Sequence, residues 1–197
     1  MIPSKRFPIV IILGKSGSGK GTQAKLLSDK TGFHIVSSGK LLRSRIKKKD
    51  FLGKKLRKII YGGGLAPSPL IFHLWLHEFE RLLPQRKIKG LIFEGSPRKL
   101  YEAFLLDEVL EFYSANKNMR VVHIQLSNKE ARKRLHKRGR VDDELNEVNK
   151  RLRWFKIEVT PTVKHYRMEK ILVEVNGEQS VEKVHQEIMR KLKTFLM

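Results

Sequence analysis

The apolar positions of this chain change period several times between its ends. Pro8 to Leu13 is a short β-branched run ending at glycine, the pattern of a strand buried on both faces. Thr22 to Lys30 spaces Ala24, Leu26 and Leu27 as a helix, and Thr31-Gly32 closes it. Phe33 to Val36 predicts a second short strand. Ser38 to Ile60 sets Leu41, Leu42, Ile46, Phe51, Leu52 and Leu56 among many basic residues, which predicts two short helices broken near Asp50. Tyr61 to Pro69 is a loop rich in glycine and proline. Ser68 is placed to cap a helix with Pro69 at its first position, running to about Leu83 before Pro84.

The second half alternates in the same way. Leu91 to Phe93 and Arg120 to Leu126 predict strands, with Leu100 to Tyr113 helical between them. Lys129 to Lys137 and Glu144 to Ile157 predict helices around a short basic loop. Ile171 to Val175 is a fifth strand, turning at Asn176-Gly177. From Ser180 onward, Val181, Val184, Ile188, Leu192 and Phe195 share one face of a closing helix. No element is predicted over residues 158–170. Strands alternating with helices imply an α/β fold, three layers with a five-stranded parallel sheet covered on both faces. The length of 197 residues fits one domain, and no internal repeat or low-complexity linker interrupts it.

Composition narrows the classes. Hydrophobic residues make up 40% of the chain, enough for a core. The absence of cysteine excludes disulfides and thiolate metal sites and is compatible with a reducing cytoplasm. Ile9 to Leu13 is far too short to span a membrane, and a glycine-rich loop rather than a cleavage site follows it. A soluble cytoplasmic protein without a membrane partner is expected. Lys and Arg number 42 against 20 Asp and Glu, a net charge of +22 that attracts polyanions. Most of these lysines are scattered over helical faces and read as solvated surface. Lys47-Lys48-Lys49 and Lys54-Lys55 keep open a nucleic-acid-binding alternative, testable by its salt dependence. His73 and His77 lie four apart on one helix but lack a third ligand, so metal binding is set aside. Trp75 and Trp154 read as packing residues.

The chemistry begins at Gly14-Lys15-Ser16-Gly17-Ser18-Gly19-Lys20-Gly21-Thr22, between a predicted strand and a predicted helix. Glycines let backbone N–H groups turn inward around phosphate oxygens, and the helix N-terminus adds its positive dipole end. Lys20 supplies a mobile charge for the β- and γ-phosphates. Gly21 separates it from Thr22, the hydroxyl placed near Mg²⁺.

Gly19-Lys20-Gly21-Thr22-Gln23 resembles the phosphate loop of the adenylate kinase branch of nucleoside monophosphate kinases, and the resemblance extends over nearly the whole chain. Ser37-Ser38-Gly39-Lys40-Leu41-Leu42-Arg43 is similar to the family's Ser-Thr-Gly-Asp-x-Leu-Arg. Gly64-Leu65-Ala66 fits the acceptor-base loop, and Glu94-Gly95-Ser96-Pro97-Arg98 is similar to Asp-Gly-Phe-Pro-Arg. Arg138-Gly139-Arg140-Val141-Asp142-Asp143 fits a short lid, with Arg151 on the next helix. The resemblance implies a P-loop fold with its first strand central, an acceptor-binding insertion over residues 38–66, and a lid over 138–142 too short for a zinc-bearing hairpin. It implies reversible, Mg²⁺-dependent transfer of the ATP γ-phosphate to AMP by a monomer.

The same resemblance distributes roles. Gly17, Ser18, Gly19, Lys20, Gly21, Thr22, Arg134, Arg138 and Gln179 fall on the ATP side. Ser38, Arg43, Gly64, Leu65, Ala66, Gly95, Ser96, Pro97, Arg98, Glu102, Arg140 and Arg151 fall on the acceptor side. Lys20, Arg98, Arg138, Arg140 and Arg151 form the catalytic clamp, with Asp142 and Asp143 pairing its arginines. Thr22 and Glu94 serve Mg²⁺, directly or through water. Guanidinium suits the clamp because it is planar, permanently charged and forked toward phosphate oxygens.

Several positions depart from the family pattern. Lys40 stands for aspartate, and either anchors acceptor phosphate or points to water. Glu94 stands for aspartate and is one methylene longer. Ser96 replaces a packing aromatic ring. Glu102 replaces a base-reading glutamine; as a carboxylate it accepts from adenine N6–H₂ but cannot donate to N1, and it suits the two donors of guanine. Either it faces the base, which admits GMP as acceptor, or it swings out and backbone around Gly64 and Ala66 reads adenine. Two other classes compete with an AMP kinase: a non-enzymatic basic nucleic-acid-binding protein, and a shikimate- or gluconate-type kinase. The arginine motifs after the phosphate loop argue against both.

Overall fold

The computed structural model describes residues 7–85, 88–115, 118–140 and 143–196. Five strands, β1 (Ile9–Gly14), β2 (His34–Ser37), β3 (Leu91–Glu94), β4 (Met119–Gln125) and β5 (Leu172–Asn176), pair in the order β2-β3-β1-β4-β5, all parallel. β1 is central, as expected. Its alternate residues feed opposite layers: Ile9, Ile11 and Leu13 enter one core, Val10 and Ile12 the other. Both sets are needed because helices cover both faces of a parallel sheet.

On one face lie α1 (Lys20–Thr31) and α9 (Val181–Leu196), which bury Ala24, Leu27, Val184, Ile188 and Leu192. The other face carries α2 (Ser38–Lys47), α3 (Phe51–Tyr61), α4 (Ser68–Leu82) and α5 (Leu100–Phe112). The break expected near Asp50 is present. The Asp50 carboxylate accepts the Gly53 amide at 2.8 Å and caps α3. Trp75 is a core residue, packed edge-on against Phe72 and Phe93.

Beyond β4 rise α6 (Asn128–Arg138) and α7 (Leu145–Trp154), joined through Leu135, Val148 and Leu152. The helix expected to stop at Ile157 runs on past it. At Phe155–Val159 the helix widens into a π-helical turn, then continues as α8 (Thr160–Met168), which the sequence pattern did not predict. α8 buries Val163 and Tyr166, and Tyr166 donates to Asp107 of α5 at 3.2 Å. Pro161 stands at the start of α8, directly after the widened turn, where the helical hydrogen-bond register has just changed.

Ser68 is a second correction. It does not cap α4, whose N-cap is Pro67 with no side-chain bond. Its buried hydroxyl instead donates to Glu102 of α5 at 2.9 Å. The remaining predicted boundaries shift by one or two residues. No helix among the described residues is long and apolar enough to cross a membrane.

Candidate active site

The C-terminal ends of β1, β2 and β3 converge where a parallel α/β sheet presents its ligands. β1 ends at Gly14 and the chain loops through Gly17 and Gly19 into α1. Gly19 sits at φ 89°, a left-handed conformation that an L side chain adopts at a cost, and it leads directly into the exposed start of α1. Ser18 is buried beneath the loop, while Gly21 and Thr22 are exposed in the first turn of the helix.

Lys20 lies across this loop. Its Nζ donates to the carbonyls of Gly14 and Lys15, each at 2.7 Å. Burial pulls its pKa down to about 8; Glu94 opposes the shift, and the like charges of Arg98, Arg138 and Arg151 add to it. A cation held at such a disadvantage gains from an anion brought within reach.

The loop after β3 forms the facing wall. Gly95 is at φ 79°, which favours glycine, and a Cβ there would stand 3.0 Å from the Ser38 hydroxyl and press on it. Ser38 Oγ donates to the Gly95 carbonyl at 2.8 Å, which joins the start of α2 to this loop. The Ser96-Pro97 peptide is cis. Arg98 folds back, its Nε donating to the Gly95 carbonyl at 2.8 Å. Burial lowers the Arg98 pKa, Glu94 and Glu102 oppose that, and Arg151 and Arg43 reinforce it. α8 supports the same loop, with the buried Thr162 hydroxyl 3.5 Å from the Arg98 carbonyl.

Lys20, Leu65, Gly95, Pro97, Arg98 and Arg151 line one narrow cleft, with Trp154 and Phe155 at its side. Trp154, expected as a packing residue, is half-buried at this wall. Ser38, Ala66, Ser96 and Glu102 are buried and do not line this cleft. Arg43 is exposed on α2 beside Gly39, and Gly64 follows α3 with its amide on the Ile59 carbonyl.

Arg138, Arg151 and the backbone of Arg140 converge on one carboxylate. Asp143 accepts Arg138 through both oxygens, at 2.6 and 2.7 Å, Arg151 at 2.7 Å, and the Arg140 amide at 3.2 Å. Burial alone would raise the Asp143 pKa, but these donors outweigh it and hold the group at about 2. Asp142, also expected to pair, lies outside the described residues, as does Val141 of the expected lid. Arg134 pairs with Glu130 on α6 at 2.7 Å. Gln179 donates to the Asn176 carbonyl and to Glu187, on the loop after β5.

This geometry agrees with the comparisons to known proteins. The family model described as adenylate kinase matches residues 12–171. The chain belongs to the adenylate kinase family. It is 34% identical over 186 residues to the adenylate kinase of Azobacteroides pseudotrichonymphae genomovar. CFP2, covering 92% of this chain and 95% of that one. Similarity at 33% identity covers 93% of this chain for adenylate kinase 1 of Nostoc sp. and for an adenylate kinase of Thermus thermophilus, and 97% and 96% of those proteins. As an adenylate kinase the chain is a phosphotransferase, and neither a small-molecule kinase nor a non-enzymatic nucleic-acid module is favoured.

Against the family pattern, the departures take definite positions. Glu102 does not swing out. It is 4% exposed, and its oxygens accept Ser68 Oγ at 2.9 Å and the Arg98 amide at 2.8 Å. Glu94 Oε2 accepts the Ser37 hydroxyl at 2.5 Å. Lys40 is exposed at the rim of a small recess that Glu94 also lines. Sequence reasoning missed Lys15, whose Nζ spans from the phosphate loop to the Leu126 carbonyl and Asn128 at 2.8 and 2.7 Å. It also missed Ser68 and Thr162 as supports. Their partners lie 34 and 64 residues away, and no local signal encodes such distances.

Proposed function

We propose that this adenylate kinase transfers the γ-phosphate of ATP reversibly to AMP, giving two ADP. The observation that carries the reading is the shared cleft, where Lys20 of the phosphate loop faces Arg98 and Arg151. Loop amides of residues 17–22 and Lys20 hold the donor phosphates. Arg43 and Arg98 hold the α-phosphate of the acceptor, and Glu102, whose oxygens each keep a second lone pair beyond Ser68 and the Arg98 amide, accepts from the exocyclic amine of adenine once the base is bound. Arg134 and Gln179 flank the donor nucleoside.

An oxygen of the acceptor phosphate attacks the γ-phosphorus in line, and the bond to the β-bridging oxygen breaks as the new one forms. The nucleophile is already ionised, so no general base is required. Charge spreads over the three equatorial oxygens in the transition state, and Arg138, Arg140 and Arg151 meet it there. Residues 38–66 and 138–142 close over the substrates and exclude water, which protects ATP from hydrolysis.

The donor set at Thr22 and Glu94 fits Mg²⁺, a hard cation that prefers oxygen and retains its waters. Among the described residues no cluster of three or more His, Cys, Asp or Glu could hold a metal alone, so the ion would be shared with the nucleotide phosphates. When bound, it neutralises charge on the β- and γ-phosphates. The deciding experiment supplies ATP and Mg²⁺ with AMP, GMP, CMP or UMP in parallel and measures the diphosphate formed. AMP should turn over fastest. A faster reaction with another acceptor would overturn the base assignment, and no turnover with any would overturn the reading itself.

A further inference from the structure

Residues 38–66 contain ten lysines and arginines and a single acid, Asp50. Asp50 is engaged by Arg45 at 2.9 Å and by the Gly53 amide. Among the described residues no carboxylate pairs with Lys47, Lys48, Lys54, Lys55 or Lys58. All five are exposed. The charge is therefore not absorbed within the fold.

α3 arranges part of this charge with aromatic rings. Positions 51, 54, 55, 58 and 61 recur at helical spacing and share one face. They are Phe51, Lys54, Lys55, Lys58 and Tyr61. Phe51 is 74% exposed and Tyr61 38%. An exposed phenyl ring at a helix start is not used by the core, because Gly53 and Leu56 bury the opposite face. Lys55 Nζ stands 4.7 Å from the Phe51 ring centroid, and the Arg57 guanidinium 6.0 Å from that of Tyr61. The two rings lie about 15 Å apart along the helix, with lysines between them.

From this alternation we infer that the outer face of α3 binds single-stranded nucleic acid, lysines on the phosphates and the two rings under bases. A strand without a partner offers π-faces to aromatic side chains and phosphates to cations at short intervals, and every base can stack. A duplex offers no open base faces at such a surface. A bilayer fits less well: insertion calls for a contiguous apolar face, and the apolar face of α3 is turned into the protein. The enzyme would then carry a second function on the outside of its acceptor insertion.

The test measures fluorescence anisotropy of labelled 12-nucleotide RNA and DNA strands with the full-length protein across a salt series. A matched duplex and vesicles containing phosphatidylserine serve as the other arms. Single strands should bind more tightly than duplex, with affinity falling as salt rises. The Phe51→Ala/Tyr61→Ala double variant should lose roughly tenfold or more in affinity, whereas Phe51→Trp and Tyr61→Phe should retain it. Lys54→Ala/Lys55→Ala/Lys58→Ala should flatten the logarithmic salt slope by about 2. Circular dichroism checks that each variant is folded. RNA binding above DNA binding would identify RNA as the partner; equal affinities support single strands of either sugar. Absence of binding at low salt, equal affinity for duplex with no loss in the aromatic double variant, or a preference for vesicles would each overturn the proposal.

Discussion

The two oxygens of Asp143 accept the two arms of the Arg138 guanidinium at 2.6 and 2.7 Å, and the same carboxylate also accepts Arg151. One buried acid thus gathers the end of α6 and the middle of α7 before any substrate arrives. Bidentate geometry restrains the direction of each guanidinium as well as its distance.

Asp143→Asn should lower stability by about 2 kcal/mol at neutral pH, because its carboxylate is held at about 2 against an ordinary value of 3.8. The sign follows from the depressed pKa. The unfolded chain binds the proton more readily, so this contribution is complete above about pH 4–5 and disappears as pH falls toward 2. Urea unfolding at pH 7 and pH 3 measures it. The asparagine variant should lose part of the parent's acid sensitivity; an identical pH dependence in both proteins would contradict the role.

Lys20→Met should reduce turnover on the order of 100-fold or more while leaving the fold intact. In the parent, kcat/KM for ATP should decline above about pH 8, where free Lys20 loses its proton. kcat should hold to higher pH, since bound phosphates favour the ammonium form. A pH profile for kcat/KM that stays flat to about pH 9.5 would argue against Lys20 as the phosphate cation.

Arg98→Ala and Arg138→Ala should differ in kinds of damage. In the proposed mechanism Arg98 holds the acceptor phosphate, so its loss should raise KM for AMP most. In that mechanism Arg138 meets the transferring group only in the transition state, so its loss should appear mainly in kcat. Steady-state kinetics with varied AMP separate the two, and matching profiles would show that they act as one unit.

Glu102→Gln should raise the AMP-to-GMP ratio of kcat/KM, with an effect on the order of 1–3 kcal/mol. Glutamine keeps an acceptor for the Arg98 amide, and its NH₂ can donate to Ser68 Oγ, so the fold need not change. The same amide offers a donor toward adenine N1 that a carboxylate lacks. An unchanged ratio would assign Glu102 to support of Arg98 and Ser68 alone.

Much of this was legible in the residue pattern because its signals are local. The β-branched run before Gly14, the glycine loop and the paired arginine motifs each report through neighbours in sequence, and β1 does lie at the centre of the sheet. α8 was not legible, because Pro161 hides a helix whose preceding turn has already changed its hydrogen-bond register. Ser68 was misread for a related reason. Its residue type and position satisfy a cap, but a buried carboxylate from α5 competes for the hydroxyl and wins. Local preference yields where a buried carboxylate oxygen, here the one that the Arg98 amide does not reach, calls for a donor.

From Leu145 to Met168 the chain forms one uninterrupted rod, with Arg151 near one end and the buried Tyr166 near the other. Between them, the Thr160 amide reaches back to the Phe155 carbonyl, one residue farther than an α-helix allows. If residues 138–142 close over the substrates as proposed, the rod has to bend somewhere between Arg151 and its packed end. The widened turn, which lies beside the cleft at Phe155, is where bending would break the fewest hydrogen bonds: its register has already changed, and it needs no glycine.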